Sequence, residues 1–214
     1  MIEFSYSQPI LKAKIGFPSP NHTESEDWPQ AIIMSSDCIH YYYCGYVEFH
    51  ENNTEFRVPI IGKVNLLTHQ LVWEKEYFCT RGYGSFSGLY ETASAIVAIG
   101  GNQKIKDDFN SWEMITVMAD KENGNALSGY PSCENATDPN MTITFSRLFR
   151  TVLLKQQNTV IGTINSGLAR SGNNNRAMIV KRLPNGQPDP SFSGDGFFYG
   201  PENSEARNVT PIKN

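Results

Sequence analysis

The sequence predicts an all-β chain of many short strands, and three observations carry that expectation. Aromatic residues fill 12% of the 214 positions, with 10 Tyr and 12 Phe, and such side chains pack well on a half-buried pleated surface. Gly (17) and Pro (12) are spread along the chain, supplying turns at many points. Finally, one plan recurs three times in the same order: apolar strand, glycine, polar gap, second apolar strand, turn.

The first strand of each copy ends at a glycine: Cys38 to Gly45, Ala93 to Gly100, and Val152 to Gly162. The second strands run from Val58 to Val64, Trp112 to Met118, and Arg176 to Leu183. The turns are Leu67 to Gln70, Lys121 to Gly124, and Pro184 to Gln187, two of them containing Asn-Gly, whose residues accept positive φ and favour tight hairpins. A recurrence every ~55–62 residues is the signature of a repeat architecture.

The ends resemble parts of a copy. Ile10 to Phe17 resembles a second apolar strand, and Ser204 to Ile212 resembles the lead-in Ser25 to Ile33. The fold expected is therefore an all-β, β-propeller domain over residues 1–214, with about four blades. The continuous units are approximately 27–79, 80–140 and 141–203, and a composite blade closes the ring from residues 1–26 and 204–214. Such closure removes exposed strand edges. An alternative has two chains, a homodimer, completing one larger ring.

The stretch Leu183-Pro-Asn-Gly-Gln-Pro-Asp-Pro-Ser-Phe-Ser-Gly-Asp-Gly-Phe-Phe198 is similar to the delta-60 repeat. Asn185, Gly186, Asp189, Ser191, Phe192 and Gly196 fit its pattern, whereas Pro184 and Pro188 depart from it. The first two copies look more like broader propeller-like repeats, with an apolar-Trp finish at Leu71-Val-Trp73. The resemblance implies propeller architecture in proteins mostly of unknown role, often at cell surfaces, and implies no active site.

Charge narrows the partners. The formal net charge is −4 and the basic residues are scattered, so nucleic acid is not expected as a partner. The loosest clusters, Arg147, Arg150 and Lys155, then Arg176, Lys181 and Arg182, read as solvated strand edges and turns. No apolar run approaches the ~18 residues that span a bilayer, so no membrane partner is expected. The amino terminus lacks a basic start and an apolar core, which places the chain as given in the cytoplasm, or outside the cell if a leader was removed. Cys38, Cys44, Cys79 and Cys133 form no CxxC pair and are read as free, partly buried thiols.

Candidate chemistry is thin. Asp189, Asp195 and Glu202 could offer oxygen ligands to calcium, but turn formation explains the two aspartates. Glu24, Glu26 and Asp27 form an acidic cluster that reads as a solvated loop. No two of His22, His40, His50 and His69 pair at metal or catalytic spacing, and His40 is expected as a hydrogen-bonded strand residue. Arg81 to Gly84 and Ser85 to Gly88 fit no phosphate loop and are expected as a blade-to-blade loop. Trp28, Trp73 and Trp112 are expected between blades rather than as sugar platforms. Asn-x-Ser/Thr acceptors stand at Asn21, Asn52, Asn135, Asn140 and Asn208 and matter only on a secretory route.

With no coherent catalytic set, no cofactor and no metal site are expected. The function expected is a non-enzymatic binding or scaffold module whose loops hold a protein or glycan. The alternative is a carbohydrate-active hydrolase, suggested by the aromatic content and scattered carboxylates.

Overall fold

The computed structural model describes residues 25–51, 54–80, 82–105, 108, 111–136, 138, 142–156 and 159–209, except the side chains of residues 25–27. The chain is all-β, as expected, with two sheets. Its strands are β1 (Ser25–Met34), β2 (His40–Glu51), β3 (Thr54–Asn65), β4 (Leu71–Glu76), β5 (Tyr83–Glu91) and β6 (Ala95–Gln103). The remaining six are β7 (Trp112–Asp120), β8 (Ser132–Glu134), β9 (Phe145–Gln156), β10 (Thr159–Ser171), β11 (Asn174–Arg182) and β12 (Phe197–Glu202).

Pairing follows chain order. β1 to β4 form one antiparallel run, β5 to β8 a second, and β9 to β12 a third. The first two runs belong to one sheet only through a single parallel bridge, Arg57 to Tyr83. The third is a separate four-stranded sheet.

Alternation along the strands divides side chains between two faces. On β6, Ile96 and Ala98 join a core with Tyr42, Cys44, Ile61 and Trp73 of the first run. Their neighbours Val97 and Ile99 join another core with Leu148, Ala169, Met178 and Val180 of the third. The middle run is thus buried on both faces, and β6 is buried at every position. Near-continuous apolar character, as in Ala95-Ile-Val-Ala-Ile99, is what two-sided burial requires. A third cluster, including Val47, Phe49, Val58 and Ile60, lies on the other face of the first run.

One backbone relation recurs in all three runs. The first strand carries a bulge opposite a glycine of the second: at Pro29/Ala31, Phe86/Gly88 and Leu148/Arg150. A Cβ on Gly45 would stand 2.0 Å from the Trp28 carbonyl oxygen, one on Gly100 2.0 Å from that of Ser85, and one on Gly167 2.2 Å from that of Arg147. The glycine shared by the third run is therefore Gly167, not Gly162. The expected strand Val152 to Gly162 is in fact the end of β9 and the start of β10, paired as a hairpin through Leu154 and Gly162.

The turns fall where expected. Asn65 and Asp120 each accept two backbone hydrogen bonds through Oδ1 from the residues two and three positions on. His69, Gly124 and Gly186 take positive φ in the three turns. The second and third turns are gripped by the run before. Trp73 Nε1 and Lys63 Nζ donate to Lys121 O at 3.2 and 3.0 Å, and Tyr77 OH donates to Gly124 O. Likewise Tyr90 OH donates to Pro184 O at 3.2 Å and Tyr130 OH to Asn185 O at 2.7 Å.

Two expectations are corrected here. Cys79 and Cys133 are not free thiols but a disulfide with Cα atoms 6.1 Å apart, joining the β4–β5 loop to β8. The meander returns Cys133 beside that loop across a sequence separation of 54, which local spacing cannot foresee. Cys38 and Cys44 are free, exposed and buried respectively. Ser85 to Gly88 is not loop but part of β5, with the bulge at its centre.

Candidate functional site

The bulged strands converge at one end of the three runs. There the middle of β2 (Tyr46), the first half of β3 (Arg57), the start of β5 (Tyr83, Ser85) and the start of β9 (Arg147) meet. With Gln30, Gln103 and Trp112 they line an open hollow of about 440 Å³. A second hollow of about 520 Å³ is lined by Phe145, Phe149, Arg170, Glu205 and Arg207 among others. Both hollows share Trp112 and Arg147, so together they form one groove. A bulge re-aims the side chains beside it, and Gln30, Ser85 and Arg147 all come from bulged segments.

The groove is built of guanidinium groups laid on rings. Arg57 lies 4.2 Å from the Tyr83 centroid and 5.1 Å from that of Tyr46. Tyr46 in turn stacks on Trp28 at 6.3 Å. Arg147 lies 4.4 Å from the Trp112 centroid and 5.6 Å from that of Phe149, and Arg170 lies 5.4 Å from that of Phe145. Contacts of this kind at partly exposed sites hold a cation with about 0.5–1 kcal/mol each.

The arginines differ in their counter-charges. Arg57 Nε meets Glu48 at 2.6 Å, and Arg57 also lies 3.5 Å from Glu55. Burial, the largest single influence, pulls its pKa down, but the Glu48 hydrogen bond together with the charges of Glu48 and the neighbouring tyrosines leaves the pKa raised. Arg170 donates to Asn175 at 2.8 Å, and Arg207 pairs with Glu205. Among the described residues, no carboxylate pairs with Arg147. Desolvation by the packing around it lowers its pKa. Below the groove, Glu113, only 3% exposed, pairs with Lys104 at 2.7 Å and accepts from Asn102 Nδ2 at 3.2 Å.

The sequence candidates are dispersed. Asp189 bonds Lys181 at 2.7 Å and closes a turn on Ser191. Asp195 accepts from Phe197 N, and Glu202 pairs with Arg176. Among the described residues no group of three or more metal-ligating side chains gathers. Glu24 and His22 lie outside the described residues, as do Asn21, Asn52, Asn140 and Arg81. His40 bonds Asp37 at 2.7 Å at the start of β2, as a hydrogen-bonded strand residue. His50 is exposed. Trp73 and Trp112 are buried between runs as expected, whereas Trp28 is 47% exposed. Asn135 and Asn208 are exposed.

One basic residue, Arg182, departs from the solvated-edge expectation, whereas Arg147 is exposed on β9 while lining the groove. Arg182 is fully buried, donating to Gly186 O at 2.7 Å and Glu134 at 3.3 Å. The Gly186 contact is made with the turn that follows β11, whereas Glu134 comes from β8 and is not visible in local sequence.

No protein-family model matches the chain, and no curated protein is significantly similar to it.

Proposed function

We propose that the chain is a non-enzymatic binding module of the β-propeller kind, with about four units, whose strand-end groove holds a protein or glycan. Support for the architecture comes from three antiparallel four-strand runs, which fall within the units 27–79, 80–140 and 141–203 apart from the first two residues of β1. Core clusters between successive runs and the recurring bulge–glycine relation add to it. The composite unit would draw on residues 1–26 and 204–214, of which 1–24 and 210–214 lie outside the described residues. The likeness of Leu183 to Phe198 to the delta-60 repeat favours the same reading.

One observation carries the binding function: Arg147 is held on Trp112 at the junction of two hollows, with no carboxylate of the described residues against it. An oriented guanidinium without a counter-ion is a recognition point. The carboxylates nearby count against the hydrolase alternative, since Glu48, Glu113 and Glu205 are each tied to a cation. Hydrolysis needs a separated acid and base acting across a bond. The Cys79–Cys133 disulfide supports maturation in an oxidising compartment rather than the cytoplasm.

The test combines sizing in solution with glycan and peptide arrays on wild type and Arg147→Ala. A monomer whose array binding falls in the variant supports the proposal. A stable dimer favours the two-chain ring. Turnover of a glycoside abolished by one carboxylate substitution replaces the module with a hydrolase.

A further inference from the structure

We infer that the groove selects an anionic glycan, a chain of sugars bearing carboxylates or sulfates, an inference that rests on the binding-module reading above. Its anchor is Arg147. The guanidinium lies over the Trp112 ring and near that of Phe149, which fixes its plane and leaves its N–H edge for a partner. A guanidinium fork meets carboxylate or sulfate oxygens two at a time, the strongest form of charge-assisted hydrogen bonding. Arg57, already tied to Glu48 and Glu55, has less to offer.

The rings themselves are spoken for. Arg57 covers Tyr83, and Arg147 covers Trp112, whose ring also lies 3.1 Å from the Cβ position of Gly101. Nucleobases and neutral sugars bind such surfaces by stacking on open faces, so the groove favours ligands that meet charge at an edge. The first hollow adds the polar side chains of Gln30, Ser85 and Gln103, amide and hydroxyl groups that match sugar hydroxyls. The second adds Arg170 and the Arg207–Glu205 pair. Arg147 therefore stands between a hollow with sugar-compatible groups and one where Glu205 already pairs with Arg207, so it is the arginine left to meet an acidic group on an internal sugar residue. The net charge of −4 opposes indiscriminate attraction of polyanions and leaves selection to this local cation.

The experiment is calorimetric titration of the full chain with tetragalacturonate, a heparin-derived tetrasaccharide, neutral maltotetraose, hexaglutamate and oligo-dT, each at low and high salt. Binding of either acidic saccharide is expected, weakened about tenfold or more by Arg147→Ala and less by Arg147→Lys. Lys155→Ala serves as a surface control that leaves it unchanged. Binding of tetragalacturonate alone assigns the carboxylate source, and of the heparin fragment alone the sulfate source. If only maltotetraose, hexaglutamate or oligo-dT binds, with Arg147→Ala still weakening it, the anionic-glycan inference falls and the module reading stands. If nothing binds while circular dichroism shows a folded chain, the module reading itself falls.

Discussion

The carbonyl oxygen of Trp28 occupies the place that a side chain on Gly45 would need, 2.0 Å from its Cβ position. Ser85 and Arg147 stand in the same relation to Gly100 and Gly167. The obstruction is backbone held in a paired sheet, so it cannot yield as a flexible side chain would. Gly45→Ala, Gly100→Ala and Gly167→Ala should each cost about 2–4 kcal/mol. Urea midpoints measure this, and a loss under about 0.5 kcal/mol at all three would show that the bulges are not fixed as described.

The turn between β7 and the following segment leads to the opposite pair of outcomes at two related positions. Gly124 takes φ +73° and a Cβ there would approach the Trp73 ring to 2.6 Å, so Gly124→Ala should cost about 2–4 kcal/mol. His69 takes φ 57° in the corresponding first turn, exposed and with its ring away from any core. His69→Gly should gain about 0.5–1 kcal/mol by relieving the left-handed backbone. Thermal melts of the two variants check both signs.

Linking Cys79 to Cys133 ties the loop before β5 to the edge strand of the same run. Replacing both by Ser should cost about 3–4 kcal/mol through the enlarged unfolded ensemble. Peptide mapping without reductant should recover the Cys79–Cys133 pair. In the native protein, an alkylating reagent should modify exposed Cys38 at once and spare Cys44, whose burial raises its pKa. Fast labelling of all four cysteines would contradict the pairing.

The hydrogen bonds from Lys181, then from Ser191, hold the Asp189 carboxyl down to about 2. The folded pKa lies below the unfolded value of about 4, so this contribution is complete above pH ~4 and fades as the pH falls toward 2. Melting temperature should therefore drop over that window in wild type. Asp189→Asn should be less stable at pH 6 and show a flatter acid limb; an unchanged limb would contradict the assignment.

Much of the strand order was legible because turns leave a local signature. Asn123-Gly124 and Asn185-Gly186 mark two turns that the structure places at the ends of β7 and β11. The alternation in Val97 to Ile99 against Ile96 and Ala98 hid behind two-sided burial, which erases the polar half of the pattern. The third glycine was misassigned because Gly162 follows an apolar run, whereas Gly167 is picked out only by the Arg147 carbonyl across the sheet. The groove was not legible at all. Arg147 reaches Trp112 and Arg57 reaches Tyr83 only after whole runs pack, and no local spacing encodes that meeting.

The role given to Arg147 can be tested most directly by a crystal structure of the chain soaked with tetragalacturonate. The account predicts one uronate carboxylate about 3 Å from both terminal nitrogens of Arg147, with the side chain still lying on Trp112. Arg147 turned onto a carboxylate of the protein, with the groove empty of saccharide, would contradict it.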